Sequence, residues 1–429
     1  MKTSYTNAVA GRFSKLIPQE DCSPEEMMEI FNRDYFRDFP SGISELVCRS
    51  GYSGDPSDTA AQADYLYSAM KNEGADISKA TVSGWLSGTH YPKYTSINRT
   101  HMFQVCFALH LDAETAEHFF DHIYFSRFFN CHNEREAVFY YCIKNGLSYN
   151  DALAILERIN SSSCGENSDI PAPEAAEFTL HIKNSIDMIT DTEALIEYIT
   201  EHKYWFNSWN ISSNKVISGL MNDLVHESED MKYLEDLTAY CAKRNLPYPS
   251  DKNCGLLMRH IRKEYATRDG ELLEYYKGEK ITSAYFMLKI MLGVEESISS
   301  ETILPRVVTC NFPSKKTFSD FFKNPTANTS YDSIRKMLIL LQFWHFWCRT
   351  ELSGNDNIPN EDLYSAFCDE TNDVLYHCGY STLYVGNPYD FIYMYAARTE
   401  FPTEKLREFF GLIEEEKRKM ANRSGELYD

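Results

Sequence analysis

Residues 64–93 read DYLYSAMKNEGADISKATVSGWLSGTHYPK, and residues 96–120 continue as SINRTHMFQVCFALHLDAETAEHFF. Ser78 stands where a side-chain oxygen can satisfy the first free N–H groups of a helix. Gly88 offers the left-handed residue that ends one, and Pro92 follows shortly after. Between them the spacing predicts a helix of about ten residues. Val82, Trp85 and Leu86 fall at i, i+3 and i+4 and form one apolar face. Lys79, Ala80, Ser83 and Gly84 fall on the other face. Their small or cationic side chains suit a surface that approaches base edges in a major groove.

The run ISKATVSGWLSG, a loop with a proline, and an apolar helix ending in ALHLDAE resemble the Cro/phage-repressor (XRE) helix-turn-helix. The resemblance covers about 65 residues, roughly 60–125. It implies that Ser78, Lys79, Thr81 and Ser83 face DNA, with Thr89, His90 and Lys93 near phosphates, and that Ile77, Val82, Trp85 and Leu86 are core. Lys79, Thr81 and Ser83 then read the groove, while Lys93 and Arg99 engage the backbone. Two features depart from the family pattern. The connection from Met70 to Ile77 is longer than its tight turn, and Gly84 stands where a longer polar side chain is usual.

A second copy is suggested further on. PSKKTFSDFF, beginning at Pro313, lines up with ISKATVSGWL, beginning at Ile77. Ser314, Lys315, Thr317 and Ser319 match Ser78, Lys79, Thr81 and Ser83, and Phe321 and Phe322 replace Trp85 and Leu86. After a one-residue insertion, Ser333 to Met337 matches Ser96 to Arg99 and the apolar helix that follows. If the repeat is genuine, Lys315, Lys316, Thr317 and Ser319 join the DNA-facing set and one chain carries two recognition helices.

Working outward, few segments alternate with period two, so the expected class is mainly α. The expected organisation is an N-terminal helical arm over 1–50, a helix-turn-helix domain with helical extension over 51–159, and a linker over 160–173. A helical domain over 174–300 and a C-terminal helical domain over 301–429 complete it. The arm carries one predicted helix, SPEEMMEIFNRDYF, with Ser23 and Glu26 as a capping box. The linker is rich in Ser, Pro, Gly and Asn. LPRVVTCNF, at 304–312, is β-prone, and the final helix is expected to be capped by Thr403.

Composition bounds the function. The 429 residues exceed one ordinary core, and 43% hydrophobic with 14% aromatic residues suffices for packed interiors. The 12 cysteines form no C-x-x-C pair and read as reduced thiols. The first 21 residues contain no apolar run of signal-peptide length, and Met337–Trp347 is too short to cross a membrane. A cytoplasmic protein with no membrane partner is expected. A net charge of −21 opposes a nucleic-acid reading at long range, but charges beyond about 8–10 Å are screened. Basic islands exist: seven Lys/Arg over 243–268 against Asp251 and Glu264, six over 313–349 against two acids, four over 71–101 against two.

No phosphate-binding, dinucleotide or nucleophile-elbow motif is present, so no enzymatic chemistry and no cofactor are expected. His118 and His122, one helical turn apart, lack a third ligand and are read as ordinary histidines rather than a metal site. The aromatic runs LLQFWHFW and NPYDFIYMY have helical spacing and are read as core, with a peptide or apolar groove as the alternative. Two functions stay open. One is a transcriptional regulator bound to double-stranded DNA, with a homodimer as an open option; the other is an acidic protein-interaction module, binding a phage or host factor, that leaves the helix-turn-helix unused for DNA.

Overall fold

Helix caps and apolar spacing decide the elements, and two separate cores decide how they assemble. The computed structural model describes residues 36, 38–92, 94–127, 129, 133–161, 175–208, 210–230, 306–314, 317–318, 321, 331–352 and 360–424. Among these the protein is mainly α, with no strand. Of the arm helix read over 23–36 all but Phe36, and the whole 243–268 basic island, lie outside the described residues.

The first core gathers α1 (Phe39–Arg49), α2 (Thr59–Asn72), α3 (Lys79–Ser87), α4 (Ser96–Ala108) and α5 (Ala113–Phe119). A π-turn, Phe120–Tyr124, follows, then α6 (Glu134–Lys144) and α7 (Tyr149–Ser161). α1 was not anticipated; Pro40 in its first turn costs nothing there, and Phe39, Ile43 and Val47 bury against the bundle. α8 (Ala175–Met188), α9 (Thr192–Glu201) and α10 (Lys203–Ser208) place Ile182, Ile186, Leu195 and Trp205 in this same core. The first unit therefore extends past the Ser/Pro-rich segment, of which 162–174 lie outside the described residues.

The second core gathers α11 (Asn210–Asp230), α12 (Arg306–Asn311), α13 (Tyr331–Leu352), α14 (Asn360–His377), α15 (Pro388–Ala396) and α16 (Pro402–Ser424). The β-prone stretch is helical at Arg306–Asn311: Val307 and Val308 bury here, and the Asn311 side chain donates to the Val307 carbonyl one turn back. The final helix begins at Pro402 and not after Thr403, whose hydroxyl bonds Glu404 instead. The aromatic runs are core: Phe343, Trp344, Tyr389 and Tyr393 are all buried. Phe36 and Phe125, though early in the chain, also pack in this second core and tie the units together.

Candidate nucleic-acid interface

α3 is built as its residues require. The Ser78 hydroxyl accepts from the Thr81 N–H at 3.1 Å and meets the Thr81 hydroxyl at 2.8 Å. Gly88, at φ 71°, ends the helix in the left-handed conformation that a side chain would penalise. Val82 and Trp85 are completely buried and Leu86 nearly so, while Ser78, Lys79 and Ala80 are exposed and Thr81 and Ser83 half-buried. α3 packs against α1 and α2, and α2 in turn against α4. Thr89 and His90 are exposed at the start of the loop that follows. Tyr91 fixes that loop by donating to Asp38 at 2.9 Å, and Tyr94 by donating to the Tyr124 carbonyl at 2.9 Å.

Two expected residues differ. Gly84 belongs to the buried side: a Cβ there would stand 2.6 Å from the Cβ of His90, so glycine lets the returning loop touch the helix. The longer turn is accommodated at Gly74, φ 77°, where the Ala75 N–H reaches back to the Met70 carbonyl. Arg99 is no surface phosphate contact. Its guanidinium is turned inward, donating to both oxygens of Glu136 (2.6 and 2.8 Å), to Ser126 (2.7 Å) and to the Arg127 carbonyl (2.5 Å). It also lies over Phe103 and Phe120. Burial opposes its charge, but Glu136 and Asp332 hold its pKa above the ordinary arginine value. Lys79 keeps its exposed position but pairs with Asp64 at 2.7 Å. Lys93, Lys315, Lys316 and Ser319 lie outside the described residues.

The turn at Ser314 shares local features with the turn at Ser78. Ser314 accepts from the Thr317 N–H at 3.1 Å and meets its hydroxyl at 2.9 Å, the same bonds that Ser78 makes. Thr317 is exposed, while Phe318 and Phe321 are buried at the places of Val82 and Trp85. Tyr331 donates to the Gly379 carbonyl as Tyr94 does to that of Tyr124, each at the end of the next helical run. In both units an arginine also bonds an acid three residues after an asparagine N-cap, although the sequence match sets Lys336, not Arg335, opposite Arg99. Arg99 takes Glu136 after Asn133, and Arg335 takes Asp390 after Asn387, both arms of the latter at 2.7 Å. The sequence match reached only the capped segment and the helix after it; the tyrosine and arginine pairings were missed because their partners lie 30 to 55 residues away.

Between the units lies a cleft of about 350 Å³, lined among others by Asp121, Arg127, Asp332, Arg335, Tyr380 and Tyr384. Asp121 sits in the π-turn, and its carboxyl is pushed up to about 7 by burial and then by Glu117, against the pull of Arg127, Lys183 and Arg99. His122 is pushed down to about 4 by burial and by His118, whose ring lies 4.7 Å away. Among the described residues no three His, Cys, Asp or Glu side chains come together to hold a metal, and no helix is long and apolar enough to cross a membrane. Comparison with protein families, curated proteins and solved structures returns no match.

Proposed function

We propose that this chain is a cytoplasmic transcriptional regulator that binds duplex DNA through the outer face of α3. The observation that carries the reading is the division of that helix. Val82 and Trp85 anchor it in the core while Ser78, Lys79, Ala80, Thr89 and His90 are exposed and Thr81 and Ser83 half-buried. Lys79, Thr81 and Ser83 read base edges, and Thr89, His90 and Lys93 serve the backbone. Arg99 has no part in the contact, because its hydrogen bonds are committed inside the protein.

The test is fluorescence anisotropy of a mixed duplex pool titrated from low to physiological salt. Affinity whose logarithm falls linearly with the logarithm of salt is expected, since phosphate contacts release counterions. Lys79→Glu with Ser83→Glu should abolish binding and leave the helical circular dichroism spectrum unchanged; undiminished binding by that variant would sink the assignment to α3.

One observation favours a protein partner instead. Lys79 is paired with Asp64, Asp76 is exposed beside Ser78, and the net charge is −21, so the face is far from uniformly positive. On that reading no salt-dependent DNA binding occurs, and α3 contacts a partner protein.

A further inference from the structure

The cleft at the joint between the units is walled by both of them. The first contributes the π-turn, Arg127 and Lys183 of α8; the second contributes Asp332 and Arg335 of α13 and loop residues from Gly379 to Tyr384. Its volume of about 350 Å³ lies at the small end of ligand sites, the size of an amino acid and not of a dinucleotide. The turn that carries Asp121 is an unusual one. A π-turn is rare, and Phe125, which follows it, holds φ 54°, a left-handed value uncommon for a bulky residue. Such a conformation persists only where its surroundings hold it, here through burial of the Phe125 ring in the second core.

Most of the lining charges are matched inside the protein. Arg335 and Asp390 form a two-armed pair, and Asp332 accepts from Ser126 at 2.9 Å and lies 3.6 Å from Arg99. Asp121 is different. It is half-buried, and among the described residues its carboxyl makes no hydrogen bond and no ion pair within 4 Å. Burial opposes its charge, so a cation brought by a ligand would supply what folding does not. Two cations line the same cleft. Arg127 donates to the neutral oxygens of Tyr331 and Gly379, and Lys183 stands 3.8 Å from Glu117. A ligand with only a positive group is repelled by Arg127 and Lys183, and one with only a negative group by Asp121. A ligand with both finds a partner for each, and Phe125, Phe129, Tyr380 and Tyr384 offer its body an apolar wall. We propose that this cleft binds a free α-amino acid, its ammonium paired with Asp121 and its carboxylate held by Arg127 and Lys183. The site makes no use of α3, so it stands or falls apart from the DNA reading.

The experiment uses the full-length chain at about pH 8, above the Asp121 pKa of about 7. Each proteinogenic L-amino acid is added at about 10 mM and the Tm recorded, since a ligand bound only by the folded state raises it. The amino acid with the largest rise is then titrated by calorimetry beside two analogues of the same body, its decarboxylated amine and its deaminated acid. The amino acid should bind about tenfold or more tighter than either, because each analogue leaves one charged group of the cleft unmatched. Asp121→Asn keeps the shape of the side chain, and should weaken the amino acid and the amine about tenfold or more while leaving the acid no weaker. Lys183→Gln should do the converse, weakening the amino acid and the acid but not the amine. A Tm unmoved by every amino acid overturns the proposal. So does an analogue that binds as tightly as the amino acid, or an Asp121→Asn protein that binds the amino acid as the unmodified chain does.

Discussion

The turns capped by Ser78 and Ser314 have the same local chemistry on unlike supports. Their serine–threonine hydroxyl distances are 2.8 and 2.9 Å, and both serines accept a threonine N–H at 3.1 Å. Beneath the first lie an aliphatic and an indole side chain, Val82 and Trp85; beneath the second lie two phenyl rings, Phe318 and Phe321. The buried ion pairs differ more. Arg335–Asp390 is self-contained in the second unit, with Asp390 fully buried and Arg335 also reaching the Ser381 and Thr382 carbonyls. Arg99 shares its charge between Glu136 and, across the joint, Asp332. A local motif can thus be kept while its foundation is rebuilt, because a cap needs only residues three apart and a core needs only matched volume.

Removing one acid from each pair tests how unequal the foundations are. Asp390→Asn removes the carboxylate paired with Arg335, leaving only the weaker pull of Asp332, and should cost about 3–5 kcal/mol in urea unfolding. Glu136→Gln leaves Arg99 with Asp332, Ser126 and the Arg127 carbonyl, and should cost about half as much. Equal losses would mean that the joint contributes nothing to holding Arg99.

The π-turn of the first unit adds a pH dependence. Asp121, with a folded pKa near 7 against about 4 unfolded, holds its proton more tightly in the fold. Its penalty is absent below pH 4 and complete above pH 7, so stability falls as pH rises through that window. Asp121→Asn should therefore gain about 2–4 kcal/mol over the unmodified protein at pH 8 and nothing at pH 4, read from thermal melts. A gain independent of pH would contradict the burial of that carboxylate.

The smallest effect sharpens the likeness between units. Ser78→Ala and Ser314→Ala should each cost about 1 kcal/mol, since each deletes one cap of the same geometry. Unequal costs, measured by chemical denaturation, would show that one turn is held by its core and not by its cap.

Much of this architecture was legible along the chain. Ser78, Gly88 and the Val82–Trp85–Leu86 stripe specify α3 because capping and amphipathic spacing act within a few residues. The likeness of 313–322 to 77–86 was legible for the same reason. The helix at Arg306–Asn311 was not: β-branched Val307, Val308 and Thr309 favour a strand locally, and burial of this segment against the second core overrides that preference. Nor was Gly84 legible, because the side chain it excludes is decided by the return path of the His90 loop.

The sequence by itself determined a mainly helical protein and the serine-capped turns at Ser78 and Ser314, since these depend on neighbours within one or two helical turns. Only the tertiary structure decided that Arg99 faces inward, that α8 to α10 belong to the first core, and that Lys336 and Arg127 reach Tyr94 and Tyr331 from the other unit. A guanidinium placed on a helix has the same local propensity whether it meets water or Glu136. Its direction is set by a carboxylate 37 residues away, and only the packed chain brings that group within reach.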